Sequence, residues 1–233
     1  MAFWGTTAVL SILLTAAITQ PGKAQRSPKR VNPIDKIVFH ETFDPPGDDS
    51  PNRTSGVGSR DSGRCNIEEQ PVQALMPENN FGLTFAERPT VVVQLPENTS
   101  TQRLILTVMD EAGLYYAEEE FSVVDQTGLI TLSLSSQAPP LAIGRNYRWH
   151  VVVVCGEQAD PDNPVLVGWV QRVDAALSQS LQQQSPLGQA QWLAENGYWY
   201  DMLQVLMGEI NLYPHNQHLQ EVWRSVLPHK NLK

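Results

Sequence analysis

Two runs of β-prone residues constrain the fold of this chain more than any other feature of the sequence. Tyr147–Cys155 and Val165–Val173 are both rich in valine and aromatic residues. The stretch between them, 156–164, is rich in aspartate, asparagine and proline, which favour turns. The pattern predicts an antiparallel hairpin at the centre of a β-rich domain.

The residues that lead into the first run indicate how this hairpin is built into a domain. Leu141, Gly144 and Tyr147 are typical of the corner of an immunoglobulin-like or fibronectin-like sandwich, where an early tyrosine bonds back to upstream backbone. Trp149 and Cys155 share a face with Tyr147, because side chains alternate along a strand. We expect this face to point into the core.

Five further strands are predicted from short stretches of alternating apolar residues, at Ile34–Phe43, Thr90–Leu95, Arg103–Met109, Tyr115–Val124 and Leu129–Leu134. Together with the hairpin they make about seven strands, joined mostly by short polar turns. This spacing fits a β-sandwich better than alternating βαβ units. Within the fourth of these stretches, Glu118–Glu120 is typical of a solvated edge strand, where charge discourages aggregation.

After Val173 the apolar period changes from that of a strand to that of a helix. We predict a short helix at Ala175–Gln184, and a second that begins at Pro186 under a Ser185 cap and ends at Asn196-Gly197. A third helix is indicated by the apolar positions Trp199, Met202, Leu203, Leu206 and Ile210, and a fourth by Leu219, Val222, Trp223 and Val226. The fold class is therefore α+β, with a sandwich followed by a helical segment.

The second and third helices together resemble one tetratricopeptide unit, QWLAENGYWYDMLQVLMGEINLYP, closed by Pro214. So short an array cannot form a solenoid, since each repeat needs neighbours to bury its second face. We therefore expect the helices to pack on the sandwich or on a partner. Because Tyr198 and Tyr200 flank Trp199, we expect one of the two tyrosines to be exposed.

The N-terminus is predicted to direct export. Residues 1–24 read as a secretory signal, with an apolar core at Ala8–Ile18 and small residues at the −3 and −1 positions of cleavage after Ala24. The apolar core is too short to span a membrane, which takes about 20 apolar residues. An uncleaved anchor is the alternative, since no lysine or arginine precedes the core. We expect a periplasmic or extracellular protein without a transmembrane span in its mature chain.

The predicted domain organisation follows from these segments. After the signal come a flexible basic leader at 25–33, a sandwich domain at 34–173 with a long glycine-rich loop at 44–64, and the helical segment at 174–233. The net charge of the full chain is −9. An acidic chain is poorly suited to a phosphate backbone, so no nucleic-acid partner is expected.

Several short pieces of the sequence carry a resemblance to a known family. They are Gly58-Ser59-Arg60 with Cys65, Pro89-Thr90, Gly144 with Tyr147-Arg148-Trp149, Cys155, Pro164–Arg172 and Gly197–Asp201. The chain resembles a cyanobacterial family of exported proteins catalogued as domain of unknown function 928. Val57 departs from the pattern, where a third small residue is expected. The resemblance implies compartment and architecture, and it carries no established activity.

Few residues are arranged for chemistry. Arg60 and Arg64 flank a glycine-rich turn that could hold an anion through backbone N–H groups and guanidinium groups, or that only lets the chain bend toward Cys65. His215 with His218, and the Asp160–Asn163 loop, lack the further ligands of a zinc or calcium site. We predict no catalytic residues, no metal and no cofactor.

The two cysteines, Cys65 and Cys155, are predicted to form a disulfide. Export would place them in an oxidising compartment, and a bridge would fasten the glycine-rich segment to the core. Two free thiols, one of them buried, are the alternative.

The sequence favours a non-enzymatic envelope protein that docks a partner protein or assists assembly. The alternative is a small-ligand or glycan-binding module that uses the loop Gly56–Arg64 and exposed aromatic residues. A hydrolase acting on envelope glycans would need two carboxylates about 5–10 Å apart in one cleft.

Overall fold

A computed structural model describes residues 1, 34, 36–40, 71–97, 99–174, 181 and 183–226. The predicted signal peptide and leader, the loop 44–64 with Arg60 and Arg64, and Cys65 lie outside the described residues, apart from Met1. The first predicted helix, 175–184, lies almost wholly outside them.

The described residues form an α+β fold with eight strands and three helices. The strands are β1 Gln73–Ala74, β2 Phe81–Thr84, β3 Val91–Leu95, β4 Arg103–Asp110, β5 Tyr115–Ser122, β6 Gly128–Leu132, β7 Asn146–Val154 and β8 Val165–Arg172. The helices are α1 Pro186–Glu195, α2 Trp199–Leu212 and α3 Gln217–Val226. The strand-rich part therefore precedes the helical part, as the change of period predicts.

The strands form two sheets. A three-stranded antiparallel sheet has the order β1-β3-β6, and a five-stranded sheet has the order β2-β8-β7-β4-β5. All pairs of the larger sheet are antiparallel except β2 with β8. The predicted hairpin is β7–β8, in which Asn146 lies opposite Gln171 and Val152 opposite Val165.

Alternating burial along the strands explains why this sequence forms these sheets. In β4 the residues Leu104, Leu106 and Val108 are buried, and their neighbours are half-buried. In β7 the buried face runs from Tyr147 through Trp149, as predicted. These residues belong to one hydrophobic core that also takes in β3 and all three helices. Sheets and helices are thus stabilised by burying the same apolar surface.

The predicted hydrogen bond between Tyr147 and upstream backbone is present. The backbone N–H of Ala142 donates to the hydroxyl of Tyr147 at 3.1 Å, and the Tyr147 ring packs on Tyr116 with centroids 4.9 Å apart. The side chain of Tyr147 is 2% exposed, so the hydroxyl satisfies a backbone donor while the ring fills the core.

The strand predicted at Ile34–Phe43 is wrong for the part that the structure describes. Ile37 is buried and Phe39 is half-buried while Val38 is exposed, so the predicted alternation holds. However, the segment hydrogen-bonds to helices and not to a strand: His40 N–H donates to Ala194 O, and Ile37 N–H to Ser225 Oγ. The alternating pattern shows that one side is buried, and it does not show which element buries it.

Two short strands lie outside the predicted set, β1 and β2. The two residues of β1 are too few to show a period, and β2 is buried at three of its four positions, so it does not alternate. The partner of β2 is β8, which lies some ninety residues further along the chain. Local pattern carries little information about a pairing of this kind.

The helices begin and end largely as predicted. Ser185 Oγ accepts from Gly188 N–H at 3.2 Å and caps α1, whose first residue is Pro186. The predicted stripe of α2 is buried except for Ile210, which is half-buried, and the predicted stripe of α3 is buried throughout. Among the described residues, no helix combines the length and the apolar character that crossing a membrane requires.

Candidate functional site

The two edges of the five-stranded sheet differ in how their backbone groups are satisfied. At one edge, β5 is eight residues long, and β4 is its one partner among the described strands. Among the residues that the structure describes, no backbone group hydrogen-bonds to the outer side of β5. Since strand residues alternate in the direction of their N–H and C=O groups, about half of these groups on β5 face outward. They form a template on which another extended chain can pair.

At the opposite edge, the connection between α1 and α2 covers β2. Leu83 N–H donates to Gly197 O at 2.9 Å, and Phe85 N–H donates to Asp201 Oδ2 at 3.1 Å. The helix approaches so closely that a Cβ built on Gly82 would lie 2.6 Å from the Cβ of Trp199. Glycine is therefore needed at position 82 to let α2 pack on this edge.

The side chains of β5 give the open edge an acidic character, with exposed aromatic surface where the strand begins. Glu118 and Glu120 are exposed, and each has a neighbour on β4: Thr107 Oγ1 donates to Glu118 at 3.0 Å, and Arg103 lies 3.0 Å from Glu120. At the beginning of the strand, Tyr115 is 66% exposed. The predicted solvated edge strand at Glu118–Glu120 is confirmed by the sheet order.

Behind the covered edge, aromatic side chains are hydrogen-bonded into the core. The Tyr200 hydroxyl accepts from Trp149 Nε1 at 2.7 Å and donates to Trp169 O at 2.8 Å. Burial raises the pKa of Tyr200, so this hydroxyl stays protonated at neutral pH. Trp199 Nε1 donates to Leu75 O at 2.8 Å. These hydrogen bonds anchor α2 to the sheets, and the polar atoms that form them are already paired.

The expectation that Tyr198 or Tyr200 is exposed is wrong, since both are buried together with Trp199. Tyr198 precedes the helix and stacks between Phe85 and Trp192, with ring centroids at 4.2 Å and 5.6 Å. The first turn of α2 is therefore surrounded, by the sheet on one side and by α1 on another. A helical period predicts a single buried side only where the helix lies on a surface.

Asp201, in the first turn of α2, joins the helix to the end of β2. Its carboxylate accepts from Phe85 N–H and from the Thr84 side chain. Burial raises the pKa of Asp201 to about 6, because the charged form loses its hydration and the hydrogen bonds offset only part of that loss. The group is thus a structural contact whose strength depends on pH.

The outer face of β7 carries Arg148 and His150, as predicted from the alternation. The Arg148 guanidinium lies over the Trp169 ring, 5.7 Å from its centroid. Burial lowers the pKa of His150, and the charge of Arg148 lowers it further, so His150 is neutral at pH 7. Among the described residues, neither side chain forms an ion pair with a carboxylate.

Of the predicted site residues, the structure describes only Cys155. It follows the last residue of β7, is half-buried, and has its Sγ 3.9 Å from Thr101 Oγ1. A cavity of about 540 Å³ borders it, lined in part by Arg103 and Glu157. The proximity of Cys155 to Arg60, Arg64 and Cys65 remains a prediction, since those three residues lie outside the described part.

The sequence offers two candidate metal sites, the Asp160–Asn163 loop and the pair His215 and His218. In the hairpin loop, Asp160 Oδ1 accepts from Asp162 N–H at 3.0 Å, and Asn163 Oδ1 accepts from Asp160 N–H at 2.7 Å, so the loop is held by its own side chains. His215 and His218 lie at the start of α3. Among the described residues, there is no group of three or more histidine, cysteine, aspartate or glutamate side chains that could hold a metal ion.

In the part of the chain that the structure describes, these features define an α+β fold with two sheets and three C-terminal helices, in which the β5 edge of the five-stranded sheet has no backbone partner. Residues 55–233 match the family described as Domain of Unknown Function (DUF928), and the chain belongs to that family. The match covers the strands and helices described above. No curated protein matches the sequence.

Proposed function

We propose that this chain is a non-enzymatic, exported protein-interaction module that binds an extended segment of an envelope partner along β5. The observation that carries this proposal is the eight-residue edge with no described backbone partner. A strand that adds to such an edge gains main-chain hydrogen bonds along its length, and side-chain contacts provide specificity.

The charge on β5 indicates the chemistry of the partner. If the edge paired with β5 of a second copy, Glu118 and Glu120 would lie near Glu118 and Glu120 of that copy. Like charges in opposed positions are destabilising. A basic segment would instead meet favourable charge, and Tyr115 with Leu114 offers an apolar contact at one end. The partner segment is therefore extended, basic, and apolar near one terminus.

Site-specific photocrosslinking in the cells that make the protein tests this proposal. A photoreactive residue at Tyr115 or Ser122, at the two ends of β5, should give the same discrete adduct, because both positions lie along the bound segment. The matched control is Leu129, which is exposed on β6 of the other sheet. Equal adducts at Leu129, or none at the β5 positions, would overturn the proposal.

Charge reversal tests the chemistry of the partner separately. The double change Glu118→Lys and Glu120→Lys should abolish the adduct, whereas Glu97→Lys, at an exposed turn, should leave it unchanged. Retention of the adduct in the double variant would show that the glutamates do not select the partner.

Export to the periplasm or the exterior is part of the proposal, and it rests on the sequence of residues 1–24. Sequencing the N-terminus of the protein isolated from cells should give Gln25 as the first residue. An intact Met1 would show that the signal is retained, as an anchor would be. The absence of enzymatic activity is likewise proposed, on the ground that the sequence contains no G-x-S-x-G motif and no cysteine with a visible histidine partner.

The finer fold is proposed to be an immunoglobulin-like sandwich with a tetratricopeptide-like helix pair. The order β1-β3-β6 corresponds to strands A, B and E, and β4-β7-β8 to strands C, F and G of such a sandwich. The hydrogen bond to Tyr147 supports this assignment. The packing of α1 against α2 supports the resemblance to one helical repeat.

A Cys65–Cys155 disulfide completes the proposal. Cys155 lies at the end of a central strand beside a cavity, where a bridge could hold the preceding glycine-rich segment. In the chain-entropy model a loop of about ninety residues contributes roughly 4–5 kcal/mol to stability. Thiol titration of the exported protein in denaturant without reductant should find no free thiol, and two per chain would refute the bridge.

A further inference from the structure

A cleft lies where α2 passes β3 and β6, with Phe121 of β5 at its side. Its volume is about 420 Å³, within the usual range of roughly 300–1,000 Å³ for small-molecule sites. Four elements contribute to it, and α2 is distant in sequence from the three strands, so the cleft is formed only in the folded protein. We call it the α2 cleft.

The described residues that line the α2 cleft are all uncharged. Hydroxyl and amide groups come from Thr90, Thr131, Ser133, Gln204 and Asn211, and Tyr200 and Phe121 contribute aromatic surface. Such a lining offers hydrogen-bond donors and acceptors beside apolar surface. It lacks the cation that would balance an anionic ligand and the continuous apolar surface that a lipid tail would need.

Parts of the cleft wall are held in place by the fold. The hydroxyls of Thr90 and Ser133 lie 2.8 Å apart and hydrogen-bond across the sheet. The Tyr200 ring is fixed because its hydroxyl is bonded on both sides, to Trp149 and to Trp169. A wall with few conformations loses little entropy when a ligand binds, which favours affinity.

Gly208 is the residue that ordinary helix packing does not explain. It lies within the fourteen-residue α2, on the same face as Tyr200 and Gln204, and it lines the cleft. Glycine in a helix interior costs about 1 kcal/mol relative to alanine. A Cβ at position 208 would meet no atom within 4 Å. No neighbouring atom therefore requires a glycine at this position, and the absence of a side chain leaves the cleft open there.

From the neutral polar lining, the aromatic surface and the space at Gly208, we propose that the α2 cleft binds one neutral polyhydroxylated ring, such as a sugar residue. Hydroxyl groups of the ligand pair with the hydroxyl and amide side chains, and the less polar faces of the ring contact the aromatic surface. This site is separate from the outer edge of β5, and the proposal does not depend on partner binding there.

The first test is the ligand preference of the full chain, measured by NMR titration. The probes are glucose, galactose, mannose, N-acetylglucosamine and myo-inositol, set against glucose 6-phosphate and glucuronate. At least one neutral probe should bind at millimolar concentration or below, and its charged counterparts should bind at least tenfold more weakly. Equal binding of the charged probes, or no binding of any neutral probe, would overturn the proposal.

The second test locates the site. Gly208→Leu places a side chain in the cleft and should weaken binding at least tenfold, while its higher helix propensity should maintain the melting temperature. Glu209→Leu adds the same side chain one position further on, at a residue that does not line the cleft, and should leave the affinity unchanged. Full binding by Gly208→Leu, or an equal loss in Glu209→Leu, would show that the ligand binds elsewhere.

The third test identifies the source of the ring. If the cleft takes a terminal residue of a glycan, an oligosaccharide of the preferred sugar should bind more tightly than the monosaccharide, and Gly208→Leu should abolish both. If it takes a free sugar, the oligosaccharide should gain nothing. Oligosaccharide binding that survives Gly208→Leu would overturn the assignment of the site.

Discussion

The covered edge at β2 and the open edge at β5 belong to the same sheet, yet they are built from different kinds of residues. The covered edge is short and buried, and it depends on large aromatic side chains of α2 that lie close to Gly82. The open edge is long, mostly exposed and acidic. Among the described residues, the helices hydrogen-bond to the β2 edge and not to the β5 edge. We therefore expect stability to depend more on the covered edge, and we assign the proposed recognition to the open one.

The largest expected effect is at the covered edge. Trp199→Ala should lower the free energy of unfolding by about 3–5 kcal/mol, because it removes a buried ring and leaves a cavity. Tyr115→Ala, at the open edge, should change it by less than about 0.5 kcal/mol. Urea denaturation of the two variants makes the measurement. Similar losses would show that the two edges do not differ in this way.

The pH dependence of stability gives a second test of the comparison, through Asp201 at the covered edge. The folded protein favours the neutral carboxyl, since the pKa of Asp201 is raised to about 6 from 3.8. The free energy of unfolding should therefore fall as pH rises from about 4 to about 6, by roughly 3 kcal/mol at most. Asp201→Asn should remove this fall and be more stable than the wild type at pH 7, because the amide oxygen can still accept from Phe85.

Asp125→Asn is the matched control for this measurement, since Asp125 is exposed in a turn. It should keep the pH dependence of the wild type. If Asp201→Asn also keeps it, the dependence arises from other groups.

A smaller loss of stability is expected when the Tyr200 hydroxyl is removed. Tyr200→Phe leaves Trp149 Nε1 and Trp169 O without their partner and should cost about 1–3 kcal/mol. Tyr213→Phe, at a side chain that is 57% exposed, should cost almost nothing. Thermal unfolding of both variants distinguishes them, and equal melting temperatures would mean that water replaces the Tyr200 hydroxyl.

The sequence predicts those parts of the fold in which local pattern and tertiary environment agree. The hairpin β7–β8, the Ser185 cap and the stripe of α2 are of this kind, because one side of each element is buried and the other is accessible. The segment around Ile37 shows the same alternation and packs on helices instead. At Tyr198 and Tyr200 the pattern fails because the helix end is enclosed on several sides.

The candidate sites could be predicted only in part. The acidic residues of β5 indicate an edge strand, but only the sheet order shows that this edge is the uncovered one. The α2 cleft is assembled from ordinary small polar residues on separate elements, such as Thr90 and Asn211, and no local pattern connects them. Gly208 is a usable signal in the sequence, since a glycine inside a strongly periodic helix calls for an explanation.

The closed edge at β2 also limits the stoichiometry of any assembly built on this sheet. Growth of a sheet from chain to chain requires two accepting edges on every unit, so that each added unit leaves a new one behind. In the described part of this chain, the α1–α2 connection occupies one of the two edges. A strand bound at β5 would thus saturate the five-stranded sheet, so this sheet could not grow from chain to chain into a fibre.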